Sequence, residues 1–432
     1  MIKTTPFEMV FIIRDSMVIG IIGAGASGMA AALAAAKTEN VQVLLFERQA
    51  RVGRKLQATG NGRCNLSNMK ACGELYHGDA PEFAKKALQI FDVSETMFWF
   101  SKLGLYMIME ESGRIYPYSD QANSVVDVLR FALNKENITL MTGFEVTKVR
   151  RTEAGFFVEG NGEGYACDKL IIACGGRAGT RLGGSMSGYQ LLRSFGHKVT
   201  KLRPALVQLK SDWRACAALK GVRANCHAAI YHDGNLYAES TGELQFTEYG
   251  LSGPVIFEIS RDECQEKGEW ICKLDLLPEL DTQQIFDHLK LRCETELLTD
   301  ELFTGVLHNR LGRVVTQTAG IRNGIKIADL RPDELMQAVN TAKALDISIT
   351  EPLGMEHAQV TAGGVVTDEF NDTTMESKLV PGLYACGEVL DIDGDCGGYN
   401  LQWAWSSGLL AGNCAGGRKY DSDPGYIFTT GA

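Results

Sequence analysis

No apolar run in the chain approaches the ~18–20 residues of a membrane span. Residues 9–13 are too short for a secretory core, and Arg14-Asp15 follow at once. No internal repeat or low-complexity linker interrupts the chain, and proline numbers only 10. A basic excess is missing too: 43 Lys and Arg face 53 Asp and Glu, a net charge of -10. That is the wrong sign for a protein living on nonspecific nucleic-acid affinity. The 12 cysteines include no C-x-x-C pair, which excludes a zinc knuckle or a thioredoxin-type centre. Scattered through so long a chain, they are no disulfide framework, and the expected location is cytoplasmic.

What is present is ordinary in bulk, with 45% hydrophobic and 22% charged residues, as in soluble globular proteins. At ~100–200 residues per domain, 432 residues imply more than one. Residues 1–16 read as an extension ahead of the fold, with Met17 a second candidate start. The 47 glycines cluster in short runs, the mark of tight turns and close backbone–ligand approach.

Residues 17–22 form an apolar run leading into Gly23-Ala24-Gly25-Ala26-Ser27-Gly28, and residues 27–37 are strong helix formers. A second apolar run, 41–46, ends at Glu47. This is a βαβ unit with a G-x-G-x-x-G turn and an acid 19 residues after Gly28. Gly23 permits the turn, Gly25 lets a pyrophosphate approach, and Gly28 allows close helix–strand packing. The helix N-terminus supplies N–H donors and partial positive charge. Glu47 suits ribose hydroxyls and disfavours a 2′-phosphate, leaving FAD or NAD as the resident dinucleotide. The glycine-punctuated basic segment 51–65, carrying Arg51, Arg54, Lys55 and Arg63, chooses FAD. It can run along an extended dinucleotide, which simple NAD dehydrogenases do not require here. Cys64 in this segment reads as packing or flavin-adjacent.

Further on, helical patterns at 81–103 and 121–135 alternate with strands at 138–149, 155–159 and 168–173. Residues 203–275 read as an antiparallel sheet or small barrel. Helices are expected at 282–296, 300–311 and 332–344. Strand-and-glycine texture returns from 358, with a strand at 383–387 and a helix opening on Gly397-Gly398. An acid after that strand, Glu388, suits a ribityl hydroxyl, and a helix N-terminus can abut the flavin pyrimidine.

Together, Gly23–Gly28, Glu47 and the segments 53–68, 242–254, 374–394 and 397–408 resemble the YhiN/BaiN-like family of NAD(P)/FAD-dependent oxidoreductases, the aminoacetone-oxidase-type flavoproteins. The resemblance covers the chain from Met17 to about Cys414. It implies an α/β, Rossmann-like FAD-binding domain of the glutathione-reductase type, with inserted β-barrel-like and small helical domains. The expected boundaries are 1–195 and 351–432 for the FAD domain, 196–278 for the β-rich insert and 279–350 for the helical one. It places FAD contacts on Gly23, Gly25, Ala26, Ser27, Gly28, Glu47, Arg54, Lys55, Gly60, Asn61, Asn65, Val146, Gly387, Glu388, Gly398 and Asn400, with no metal.

The expected activity is hydride transfer from flavin N5 to an activated C=C of a steroid- or bile-acid-type enone, a small-molecule substrate. NAD(P)H is expected to dock transiently as electron donor. The alternatives are an amine or aminoketone oxidase and a uridine reductase acting on ribosomal RNA. Net charge disfavours RNA, for which Arg177, Arg181, Arg193 and Arg203 are the available docking groups. Tyr399, Tyr249 and Glu248 are the candidate proton donors.

Overall fold

A computed structural model of the chain describes residues 16–260 and 268–418, so the expected N-terminal extension lies, but for Ser16, outside the described residues. The chain divides into two compact units. One comprises the segments ending at Arg203 and beginning at Val360, and the other is Pro204–Gln359.

The first unit is built on β1 (Met17–Ile22) and β2 (Val41–Glu47), parallel neighbours in register Ile19↔Val43. Both are almost wholly buried, as unbroken Val/Ile/Leu runs require. Five parallel strands run in the order Leu383–Ala385, Lys169–Ile172, β1, β2, Ile138–Thr142. The strand returning from the far end of the chain thus completes the sheet that the first strand begins. The helix α1 (Ala26–Ala35) is alanine-rich and nearly all buried. A second helix, Tyr399–Ala415, lies against it backbone to backbone. A Cβ on Gly408 or Gly412 would strike the carbonyl oxygens of Ser27 and Ala31.

Two expected elements of this unit are corrected. The strand at 138–149 breaks at Gly143 (φ 71°). Its second half, Val146–Thr152, joins Gly155–Gly160 and Glu163–Cys167 in an antiparallel three-stranded sheet. The helix at 81–103 becomes two, Phe83–Ile90 and Val93–Lys102. Asp92 stands between them and caps the second by accepting from the Glu95 N–H at 2.8 Å.

The second unit holds a seven-stranded sheet in which every pairing is antiparallel. Leu345–Ile349 forms one edge and Glu351–Pro352 the other, with Thr350 alone between them. Edges joined through a single residue force the sheet to curl until they meet, which is a barrel-like closure. Helices Thr282–Lys290, Asn309–Thr318 and Pro332–Lys343 pack into the same core, where Leu274, Ile285, Leu311, Val339 and Ile347 meet. The expected 278/279 division between a β-rich and a helical domain therefore runs through one hydrophobic core. The helix expected at 300–311 is also corrected. Gly305 (φ 81°) ends a short turn, and the helix starts at Asn309, where Gly312 packs against the Phe303 side chain.

Candidate functional site

The glycines between β1 and α1 differ in what surrounds them. Gly23 (φ 104°) presses on the Ala173 carbonyl, and a Cβ at Gly28 would overlap the Gly23 carbonyl oxygen. Gly25 has ordinary extended geometry (φ -81°), and a Cβ there would meet nothing within 4 Å. The chain itself requires the outer two, while the middle one faces open space. The first turn of α1, from Ala26 and Ser27, has no side-chain cap and no acid. Its unsatisfied N–H groups are thus left for an anionic ligand.

Glu47 closes this turn. Its two carboxylate oxygens accept from the N–H groups of Ala24 and Gln49, each at 2.8 Å. Fixed in orientation, it retains lone pairs for further donors. The Phe144 N–H donates to the Glu47 carbonyl at 2.9 Å, which lays the segment leading to buried Val146 alongside β2. Arg54 is exposed and donates to Gln49 at 2.9 Å. Lys55 pairs with Glu388 at 2.7 Å, and the other Glu388 oxygen accepts from the Thr361 N–H at 2.9 Å. The structure thus joins two expected cofactor residues from opposite ends of the chain. Gly387 (φ 76°) brings the return turn against Ser27, where a Cβ would not fit.

A second cluster surrounds the start of helix Tyr399–Ala415. Gly60, Asn61 and Gly62 are consecutively left-handed (φ 58°, 56° and 87°). Arg63 anchors this loop through Glu110 at 2.8 Å, Asp120, and the Tyr116 ring, 3.9 Å from its guanidinium. Cys64, also left-handed, is fully buried, and burial pushes its thiol up to about 12, far from the thiolate a nucleophile needs. The Oδ1 of Asn65 is buried and has no hydrogen-bond partner, an acceptor awaiting a donor. Gly398 (φ 104°) is wedged against the Ser67 carbonyl, and a Cβ there would lie 2.8 Å from Asn65 Oδ1. Packing within the chain thus already demands a glycine, without a cofactor ring to crowd it. Asn400 commits its side chain to the preceding turn, accepting from the Gly394 N–H at 2.8 Å and donating to the Gly394 carbonyl at 2.7 Å.

The three candidate proton donors do not all belong to one unit. Tyr399 is 7% exposed and its carbonyl accepts from the Tyr76 hydroxyl at 2.9 Å. Glu248 and Tyr249 belong to the other unit, on the turn between strands Asn235–Thr247 and Gly250–Ser252. Glu248 forms an exposed ion pair with Lys220 at 2.7 Å. Sequence reasoning missed His77, 2.6 Å from Asp395. It also missed Gln402, whose amide binds Ser67 at 2.6 Å, Thr96 at 2.8 Å and Ser406 at 2.9 Å. The Gly408-x-x-x-Gly412 spacing signals the close helix contact, whereas nothing local links His77 to a partner over 300 positions away. Among the described residues, no group of three or more His, Cys, Asp or Glu is placed to hold a metal, and the described cysteines are free thiols.

An open position at Gly25, in a parallel sheet completed by a strand from the other end of the chain, suits a dinucleotide pyrophosphate. The fold and this cradle define the class: an FAD-dependent oxidoreductase on a Rossmann-type sheet. Residues 17–414 match the model of the HI0933-like protein Rossmann domain, and the chain belongs to that family. It is 40% identical to the 3-dehydro-bile acid delta(4,6)-reductase of Clostridium scindens, over 93% of this chain and 99% of that one. It is 34% identical to the ribosomal RNA dihydrouridine synthase of Escherichia coli, over 90% and 95%. A solved 3-ketosteroid delta1-dehydrogenase from Sterolibacterium denitrificans is 12% identical, with a TM-score of 0.49, over 94% of this chain and 100% of that one.

Proposed function

We propose that the protein is a cytoplasmic reductase of a polarised C=C bond in a small conjugated ketone, taking its electrons from NAD(P)H. The alignment with the bile-acid reductase, over 93% of this chain and 99% of that one, carries this reading. Bound FAD supplies the hydride chemistry. The chain's own part is to hold it: the open N-terminus of α1 at Gly25, Ala26 and Ser27 for the pyrophosphate, Glu47 for a ribose, and Asn65 Oδ1 for a polar N–H. Lys55 and Glu388, paired and half-buried, offer a cation and an acceptor for the length between. Gly60 and Asn61 supply a left-handed turn stiffened by Arg63.

The relatives named for ribosomal RNA support a second reading, uridine reduction. The charge distribution favours the small substrate. Residues 204–359 carry 24 Asp and Glu against 15 Lys and Arg, a net of -9, leaving the rest of the chain near neutral. So acidic a unit repels a phosphate backbone.

Purified protein should be yellow, with about one FAD per chain. Reduced anaerobically with NADH or NADPH, it should be reoxidised by a 3-oxo-Δ4 steroid, giving a product heavier by two hydrogens. Reoxidation by ribosomal RNA alone would move the assignment to the second reading, and fast reoxidation by O₂ with an amine substrate would make it an oxidase. Protein that stays colourless with added FAD would overturn all three.

A further inference from the structure

The short strand Tyr76–His77 pairs antiparallel with Asp393–Gly394, just ahead of the Gly397-Gly398 start of the C-terminal helix. His77 Nε2 lies 2.6 Å from Asp395 Oδ1, and the two side chains are 38% and 34% exposed. No described residue hydrogen-bonds Nδ1. The dyad therefore has one nitrogen fixed by a carboxylate and the other without a partner among the described residues, on a side chain that solvent reaches.

We infer that His77, held by Asp395, is the proton donor that completes reduction of the C=C bond. The inference rests on the reductase reading above. Adding two hydrogens across the bond takes a hydride, the flavin's contribution, and a proton. At the carbon next to the carbonyl, the Nδ1–H bond of the imidazolium breaks and a C–H bond forms from the enolate electron pair. The imidazole left behind takes a proton from water along its exposed edge.

The neighbouring groups are less suited. The Tyr76 hydroxyl donates to the Tyr399 carbonyl and burial drives its pKa well up. Burial also raises Tyr116. Glu388 is tied to Lys55, and arginine keeps its proton. Imidazole is the side chain whose charge changes near neutrality. The titratable and charged groups around His77 are Asp395, Asp393 opposite it in register, Asp79 and Asp391 beside Gly78, Tyr76, and Tyr399 and Arg114 beyond Gly397. Asp391 is nearly inaccessible, and burial raises its carboxyl toward the neutral form, whereas Asp395 is part-exposed and bonds His77 directly.

His77→Gln can still donate to Asp395 and cannot titrate. The variant should bind FAD and be reduced by NAD(P)H as the wild type is. Reoxidation of the reduced protein by the enone should slow ~10²-fold, the usual contribution of a general acid. Its basic limb in the pH profile should vanish. Reoxidation at the wild-type rate with an unchanged profile would overturn the assignment. A second variant tests the pairing itself. Asp395→Asn keeps a side chain that can hydrogen-bond His77 and removes the carboxylate, so it should bind FAD and be reduced by NAD(P)H as the wild type is, while reoxidation by the enone slows. Reoxidation at the wild-type rate in Asp395→Asn would overturn the role given to the dyad even if enone reduction is found. A wild type that no enone reoxidises would instead overturn the reductase reading, and this assignment with it.

Discussion

Two of the longer helices of the first unit open on glycine with no side-chain cap, α1 at Gly25 and the C-terminal helix at Gly398. In sequence they look alike, glycines after a strand and before a helix. In space they are opposites. Gly25 has a backbone geometry any residue can adopt and emptiness where its side chain would be. Gly398 is left-handed and pressed against the Ser67 carbonyl and Asn65. The helix beyond Gly398 is bolted down by fully buried polar groups, with Gln402 and Ser406 tied to the Phe91 carbonyl at 3.1 and 2.6 Å. The helix beyond Gly25 is a smooth alanine surface. A glycine that a ligand requires and a glycine that the chain requires leave the same mark in sequence, and only the neighbours tell them apart.

The largest expected effect belongs to Gly28→Ala, where the new methyl overlaps the Gly23 carbonyl oxygen. Overpacking a backbone contact that cannot yield should cost ~3 kcal/mol or more. Urea unfolding of the flavin-free variant would measure it, and a loss below ~1 kcal/mol would mean that the turn is softer than its geometry.

Gly398→Ala comes next. A left-handed backbone costs an L-residue ~1–2 kcal/mol before any clash with Ser67. The flavin-free protein should therefore lose ~2 kcal/mol or more by the same measurement. Unchanged stability together with lost FAD would make Gly398 a ligand glycine like Gly25 and erase the contrast.

Gly25→Ala should move stability by less than ~1 kcal/mol, because reduced unfolded-state entropy opposes a poorer N-cap. Flavin content should nonetheless fall sharply, and further in Gly25→Val, as read from the ratio of flavin to protein absorbance. Wild-type flavin content in Gly25→Val would show that no pyrophosphate lies there.

The smallest effect sits away from both helix starts. His197 is buried, stacked on Phe370 at 4.5 Å, with Glu369 at 2.8 Å and Ser377 at 2.9 Å. Burial lowers its pKa, and the Glu369 bond opposes this only in part. The native state thus binds a proton less readily than the unfolded chain does. Its stabilising contribution is complete above the ordinary imidazole value, ~6.5, and is lost as pH falls through it toward the lower native value. The stability gap between wild type and His197→Gln should narrow from pH 8 to pH 5.5 in denaturant titrations. A gap that widens on acidification would reverse the sign of the argument.

What the sequence determined by itself is what short-range physics controls. The apolar runs of β1 and β2, the alanines of α1 and the glycine turn between them specify a βαβ unit within about thirty residues. Glu47 follows from its place at the end of β2. The strand expected at 383–387, found at Leu383–Ala385, and the helix after Gly398 were legible for the same reason, and the antiparallel texture of the second unit showed in its alternating segments. The misread helix at 300–311 marks the limit, since propensity could not tell that Gly305 ends a turn while Gly312 faces Phe303 inside a helix. Tertiary structure alone decided the meetings of distant residues: Lys55 with Glu388, His77 with Asp395, Gly398 with Ser67. It also decided that sheet and helices of the second unit share one core. Each partner in such a pair looks ordinary in its own segment. The pairing comes from a sheet that brings the last strand two places from the first, and no local pattern of residues encodes that approach.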